Sequence, residues 1–557
     1  MIFEHKYGGS SSVSGNAKAV GVSFAPDTLR EPTYFIGKLQ KSLHFREAIS
    51  ALHYVVVSDL RLKPKERTDY QAWLKEQEPI WMAEYMAGAS DVRDQIEAKK
   101  LELEGVRKEK AGVMAPYYKA QQAYFNYLYK KDMDMWYVLD PVITVHPDEI
   151  FFECFSQDES SYGKLSCDYG VFKEVEEFKC GTTNIDYSQL LYDEFQKIRT
   201  YKETEFKVDP SGFEIQTTNE DSYKEMKIDL PDSWVRGFLQ VSSAMTLPAS
   251  EVTLEPMDLH NLLFYLKRFK EKEGPRSIRF ILKPGKPVQM LLEPWGHVIN
   301  CPRSLYKGDT EREIRIWGRR RLLILERLLP IAEKINITLL GTGLPSFYQV
   351  KMGGMTFTLG LSGWTQNDWS KMGQFDLMAP RRVTDAMTQQ KVFLALKENW
   401  LESADSLAGR LGMDKTVVLG ALGILVQSGK VIYDLEHKVY RVRILKKDEL
   451  PMDELRFASE AEAKATKLIA AKSIKIVEMA ERDGVKVIRS QWNGGETTIY
   501  IDSDDRLIQA ECNCNFFRQN RLRKGPCEHI IATRMLAAAA QAAAAQAGAA
   551  AVNNTKA

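Results

Sequence analysis

The chain holds 557 residues, 44% of them hydrophobic and 27% charged, proportions of an ordinary water-soluble protein that exclude collagen-like, disordered and disulfide-scaffold classes. At about 100–200 residues per domain, that length implies several domains rather than one. Lys and Arg total 76 against 75 Asp and Glu, so no net field draws the chain to nucleic acid or membrane, and any such affinity must come from a local patch.

Met1-Ile2-Phe3-Glu4-His5-Lys6 leads into Gly and Ser rather than an apolar core of about 7–15 residues, so no secretory signal is read there. No apolar run approaches the roughly 20 residues needed to span a bilayer. The expected compartment is therefore cytoplasmic, where thiols stay reduced and crowded cysteines read as metal-binding or catalytic. Residues 1–215 read as a mixed α/β N-terminal region, with 51–58 (Ala-Leu-His-Tyr-Val-Val-Val-Ser) as a buried strand. The stretch 71–129 reads as helix, and its dense opposite charges around 92–110 make it a solvated arm or a partner-binding coiled coil. No sustained apolar heptad favours the second.

Residues 216–383 form an α+β region, with strands at 277–282 and 337–340 and a helix over 319–329. Within 384–450, helical spacing runs over 388–399. Ser403 is placed to cap a second helix reaching Leu411, and Asp414 to cap a third reaching Gln427. The runs 431–433 and 439–442 then make a hairpin. Three short helices followed by a β-hairpin is the element order of a winged helix-turn-helix, which this segment resembles. In residues 455–536, a charged helix over 455–482 precedes strands at 485–492 and 497–502, joined by Asn493-Gly494-Gly495, a hairpin signal. A third strand, 507–511, delivers Cys512 and Cys514. The tail, 537–557, is nearly all Ala and Gln and is expected to fray beyond about residue 540.

Cys154, Cys167, Cys180 and Cys301 are scattered, whereas Cys512, Cys514 and Cys527 crowd together with His529. Zn²⁺ in structural sites takes four tetrahedral S/N ligands, and a filled shell leaves no position for substrate. The pattern C-x-C-x₁₂-C-x-H in a β-β-α context resembles the SWIM zinc finger over about 485–535. That resemblance implies one structural Zn²⁺ held by Cys512, Cys514, Cys527 and His529, with folding of the module coupled to metal. Arrangement of the whole chain looks like bacterial SWIM proteins. Such proteins can be encoded beside MoxR-type AAA ATPases and von Willebrand factor A-domain proteins, the partners the resemblance implies. The expected fold class is thus multidomain α+β: a large mixed N-terminal region, a winged-helix-like segment and a C-terminal finger.

The segment between the two ligand pairs carries Arg518, Arg521, Arg523 and Lys524 and no acid, beside Phe516 and Phe517. It reads either as a phosphate-contacting flexible loop or as a soluble loop over core phenylalanines. The winged segment offers Lys438 and Arg441 for phosphate contact, although its third helix, with one basic residue, has the apolar character of a helix packed on protein. A further cluster, Arg312 to Arg327 around Trp317, is interleaved with Glu and reads as a solvated face. The expected function is a non-catalytic zinc adaptor that binds nucleic acid or protein through its finger, with no catalytic residues. The alternative is a metal-dependent nuclease or transposase-like enzyme in the N-terminal region, or a thiol-imidazole hydrolase using His146 and Cys167 with Asp168. Lys283-Pro284-Gly285-Lys286-Pro287 lacks the spacing of a phosphate-binding P-loop.

Overall fold

The computed structural model describes residues 12–15, 19–24, 33–58, 141–184, 192–208 in part, 232–270, 276–363, 368–379 in part, 384–445, 460–503 apart from 483, and 506–540. The chain divides into two units, Met1–Ser58 with Leu139–Ala557, and Asp59–Val138, and every described residue lies in the first. The charged arm expected over 71–129 therefore lies outside the described residues.

Strands β1 (Ser12–Gly15), β2 (Ala19–Phe24), β3 (Tyr34–Leu39), β7 (Phe172–Lys179) and β9 (Glu203–Val208) form a five-stranded sheet in the order β1-β2-β9-β3-β7. The centre of the unit is an eight-stranded sheet in which β4 (Val142–Val145), β5 (Glu149–Phe155), β6 (Ser161–Asp168) and β8 (Gly181–Asn184) join β10 (Ser250–Leu254), β15 (Lys334–Leu339), β16 (Ser346–Met352) and β17 (Met355–Leu361). Strand β17 pairs with β6 from Met355↔Cys167 to Leu361↔Ser161. The two regions divided at 215 and 216 are thus one sheet, and that boundary does not separate two cores.

Residues 51–58 are not a strand: they end helix α1, Ser42–Val56. Phe45, Ile49, Leu52 and Val56 recur at helical spacing and are all buried, and this longer period is what the final eight residues alone conceal. Valine costs a helix only about half a kcal/mol relative to alanine. Burying each side chain returns roughly 1.5–3 kcal/mol, so packing wins. Alternation along β5 then separates its neighbours. On one face the Cys154 thiol approaches Leu52 O of α1; on the other, Phe155 meets Trp234 and Phe238 of helix α2, Asp232–Met245.

Helix α3 (Pro256–Arg268) precedes a four-stranded sheet, β13-β12-β11-β14, built from β11 (Ser277–Leu282), β12 (Pro287–Leu292), β13 (His297–Leu305) and β14 (Arg312–Trp317). A 3₁₀ helix, Arg319–Ile331, follows. Arg319 and Arg321 are buried there, so the cluster expected to be solvated is so only in part. The expected strands at 277–282 and 337–340 correspond to β11 and β15.

Three helices, α4 (Ala386–Asn399), α5 (Ala404–Leu411) and α6 (Lys415–Gln427), precede a hairpin of β19 (Val431–Asp434) and β20 (Val439–Val442), with β18 (Leu401–Glu402) added beside β20. The side chains of Ser403 and Asp414 cap α5 and α6 by accepting from Ser406 N and Thr416 N, in agreement with the sequence. Most of α6 is buried, as its apolar composition requires.

The hairpin is fastened to the central sheet. Glu149 and Glu153 share one face of β5 and meet Arg441 and Arg443, two residues apart on the other element. Arg441 Nε donates to Asp434 Oδ2 at 2.7 Å and Nη1 to Asp148 Oδ1 at 2.8 Å, with Glu149 Oε1 at 3.4 Å. Arg443 reaches both Glu153 oxygens at 3.2 Å and Ser242 Oγ at 3.0 Å. His146 Nε2 lies 2.6 Å from Val442 O.

Helix α7 spans Glu460–Ala470, and residues 455–459 of the expected helix lie outside the described residues. Residues 474–482, expected to continue it, are instead strand β21, Ile474–Arg482, paired with β22, Val485–Trp492. Ile474, Ile476 and Val477 favour the pleat. The Asp483-Gly484 pair is a hairpin signal that sequence reading passed over, and Gly484 has φ 73°. With β23 (Gly495–Ile501) and β24 (Leu507–Cys512) this makes a four-stranded antiparallel sheet. Asn493 and Gly494 turn β22 into β23, where Trp492 pairs with Gly495. No helix among the described residues is long and apolar enough to cross a membrane.

Candidate metal centre

Each of the four expected ligands is presented by the end of an element. Strand β24 ends on Cys512, and Cys514 is the N-cap of helix α8, Asn515–Asn520, its sulfur accepting Phe517 N–H at 3.3 Å. Cys527 immediately precedes helix α9 (528–540), and His529 lies in its first turn. Donor atoms of the four lie within 4.8 Å of one another, and all four residues are buried. A tetrahedral Zn²⁺ with bonds of about 2.0–2.3 Å asks for ligand separations of roughly 3.5–3.8 Å, a contraction that side-chain rotation supplies. His529 Nδ1 is buried and finds no hydrogen-bond partner among the described residues, which fits a ring arranged around metal rather than around protein acceptors. No disulfide forms: the cysteines are free thiols.

The electrostatics of the bare cluster point the same way. Hydrogen bonding from Cys527, against opposing burial and with further donation from His529 and Thr497, holds Cys512 down at about 4. The same hydrogen bond and then burial push Cys527 up, and burial pushes Cys514 up against the Phe517 N–H. Three sulfurs this close cannot all carry negative charge without a cation between them. A divalent ion would let all three ionise.

Trp492 supports two of the ligands at once. Its indole stacks on the His529 ring at 3.8 Å and 22°. Its Nε1 donates to Thr497 Oγ1 at 3.0 Å, and Thr497 Oγ1 donates to Cys512 Sγ at 3.2 Å. Such outer contacts fix ligand orientation and charge. Sequence reading missed both residues, although an aromatic two positions before the hairpin glycines was in view.

The basic residues fare unequally. Arg518 and Arg521 are exposed, and Arg523 and Lys524 half-buried. The segment holding them is not a free loop, because 515–520 are helical and Phe517 is buried. Arg523 extends onto the four-stranded sheet of the body, its guanidinium 5.4 Å from the Trp317 ring centre. Lys438 is exposed and pairs with Glu251 at 2.7 Å. Arg441 does not belong to a binding surface: its side chain is 0% exposed and held by Asp434 and Glu149. It sits on the inward face of its strand, which sequence alone did not orient.

Both members of the expected thiol-imidazole pair are fully buried. Cys167 is buried in β6, and burial pushes its thiol well up. His146 is buried against Val442 and held down at about 3 by burial and then by the Arg441 charge. The module that carries the four candidate ligands is anchored to the body: Arg534 donates to Leu377 O and Ala379 O, each at 2.8 Å, and Leu507 N to Met378 O at 3.2 Å.

No protein-family model and no curated protein matches the chain. Among solved structures it is similar to proliferating cellular nuclear antigen (PCNA) from Entamoeba histolytica, at TM-score 0.28 and 10% identity over 40% of this chain and 89% of that one. A PCNA2–PCNA3 complex from Sulfolobus tokodaii matches with TM-score 0.27 and 10% identity, over 40% and 89%. A. fulgidus PCNA, in a structure titled for the bound C-terminal region of FEN-1, matches with TM-score 0.27 and 12% identity, over 41% and 91%.

Proposed function

We propose that the chain is a non-catalytic zinc adaptor that binds nucleic acid through its C-terminal module. In this reading residues 474–540 are a SWIM finger, and 386–442 a winged-helix unit used as an internal brace. The observation that carries the proposal is the closed set of Cys512, Cys514, Cys527 and His529, with exposed arginines on the segment between its two ligand pairs. A four-ligand shell leaves no open position for chemistry. What remains useful is the surface it holds in place, and that surface is cationic. The burial of α6 and of Arg441 directs binding away from the winged segment and toward the finger.

Fluorescence anisotropy of the full-length, zinc-loaded protein with labelled single-stranded and duplex oligonucleotides tests the reading. Binding that weakens steeply between about 50 and 200 mM salt supports it. No binding to any oligonucleotide at the lower salt refutes the nucleic-acid role. Cleavage of the oligonucleotide on adding Mg²⁺ or Mn²⁺ refutes the non-catalytic one. The partners implied by the family resemblance, a MoxR-type ATPase and a von Willebrand factor A-domain protein, are sought by nuclease-treated pull-down from the source cell.

A further inference from the structure

Helix α3 ends at Arg268, and Phe269 leaves it in the extended conformation while its N–H still donates to Tyr265 O at 3.0 Å. A spacing of four brings the two side chains together, and their ring centres lie 4.3 Å apart at 28°. Tyr265 also stacks on His297, the first residue of β13, at 4.3 Å and 6°. Two rings stacked this closely on one face of a third would touch each other. Phe269 and His297 make no ring contact with one another, so they cover opposite faces of the tyrosine, and the three rings form one stack. Trp295 meets Tyr265 edge-on at 5.4 Å and takes the buried Arg319 guanidinium over its own ring at 4.5 Å. The outer rings of the stack are open to water: Phe269 is 41% exposed, and His297 is exposed. Scattered exposed hydrophobic residues are ordinary, whereas contiguous ones mark an interaction site.

Charge selects the occupant. Arg268 and Lys270 flank Phe269, are exposed, and make no ion pair among the described residues. Glu326 is matched with Lys267 at 2.8 Å, and Glu293 with Arg279 and Arg315 at 2.7 and 2.5 Å, so neither answers them. Bases stack on aromatic rings whatever their sequence, and the phosphates between them answer cations. An apolar protein surface would cover the rings and leave the charges unanswered. A duplex buries its base faces against one another, so a single strand is the form that offers them. The stack lies at the end of the four-stranded sheet where β11 and β13 begin and β12 and β14 end. Trp317 ends β14 there, with Arg523 of the finger 5.4 Å from its ring centre. Gly343, at φ 75°, admits that approach, since a Cβ would fall 2.7 Å from Arg523 Cγ. Finger and ring stack thus border the same end of one sheet.

We propose that the stack of His297, Tyr265 and Phe269, with Arg268 and Lys270, is a base-stacking platform for single-stranded nucleic acid. It rests on the nucleic-acid reading above and adds to it the strandedness of the ligand and a contact on the body. Phe269 takes a base on its open face, and the two cations take the flanking phosphates.

The test uses the full-length, zinc-loaded protein and anisotropy with a labelled oligothymidylate, an abasic strand of the same length, and a duplex. Each variant is first matched to wild type in zinc content and thermal midpoint. Phe269→Leu keeps apolar bulk and removes the ring; it should weaken oligothymidylate binding by about 5- to 100-fold with an unchanged salt slope, because the ring carries no charge. Phe269→Trp should bind as wild type does. Arg268→Gln and Lys270→Gln should each weaken binding by about two- to fivefold and lower the salt slope by about 0.7. If Phe269→Leu binds oligothymidylate as wild type does, if the abasic strand binds as tightly as the intact one, or if only the duplex binds, the platform is overturned and the adaptor reading stands. If wild type binds no oligonucleotide, both fall.

Discussion

Replacing Arg441 with methionine separates a buried clamp from a nucleic-acid contact. The arginine side chain is 0% exposed, and its two deepest partners, Asp434 and Glu149, are 4% and 2% exposed. Breaking a buried ion pair by removing one partner costs about 3–5 kcal/mol, because the remaining charge stays desolvated. Asp148 adds little, since it is 42% exposed and such pairs contribute about 0–1 kcal/mol. Asp434 keeps His437 Nδ1 at 2.9 Å, and Glu149 keeps Lys164 at 3.7 Å, which places the cost at the lower end of that range. Domains are stable by about 5–15 kcal/mol, so the loss is large. With a urea slope of about 2–3 kcal/mol/M, the midpoint should fall by roughly 1–2 M. Urea unfolding followed by circular dichroism measures it, with oligonucleotide affinity measured on the folded variant. An unchanged midpoint together with weakened, less salt-dependent binding would refute the clamp and restore Arg441 to the surface.

Cys512→Ser and His529→Ala should each release close to one zinc per chain, read by a chromophoric chelator, and loosen the 474–540 module to protease; full zinc retention would exclude the site. Trp492→Ala and Thr497→Val should leave zinc bound but weaken its affinity by about 10- to 100-fold in chelator competition, since outer-shell partners act at that scale. Equal affinity would mean that the stack and the hydroxyl serve packing alone. Stability should vary with pH through two histidines of opposite sign. His146, held at about 3 from an ordinary 6.5, stays neutral while the unfolded chain takes up its proton, so stability falls as pH drops from 6.5 toward 3. His437, raised from 6.5 by its hydrogen bond to Asp434, adds stability that is complete below 6.5 and lost as pH climbs through its raised value. Thermal midpoints of His437→Gln should therefore lose that alkaline decline and keep the acid one; an unaltered profile would remove the Asp434 pairing as its cause.

What was legible in the sequence was local, and what was not was long-range. Caps at Ser403 and Asp414 and the Asn493-Gly494 turn are set by neighbours a few residues away, and the four candidate metal ligands fall within one short stretch, 512–529, so their chemistry can be read directly. Helix α1 was missed because its apolar period begins before the valine run that suggested a strand. Strand β21 was missed because alanine-rich helix α7 leads straight into it, and only pairing from Ile474↔Trp492 to Arg482↔Val485 fixes its form. The orientation of Arg441 depends on Glu149, nearly three hundred positions earlier. Arg523 depends in the same way on Trp317 and Gly343. A count of basic residues therefore sees two patches, one in the finger and one near Trp317. The fold makes them neighbours, and a metal holding Cys514 and Cys527 would fix both ends of the segment that carries Arg523 to Trp317. On the proposed function, removing zinc with a chelator should then weaken nucleic-acid binding in the anisotropy assay, and unchanged affinity would refute that link.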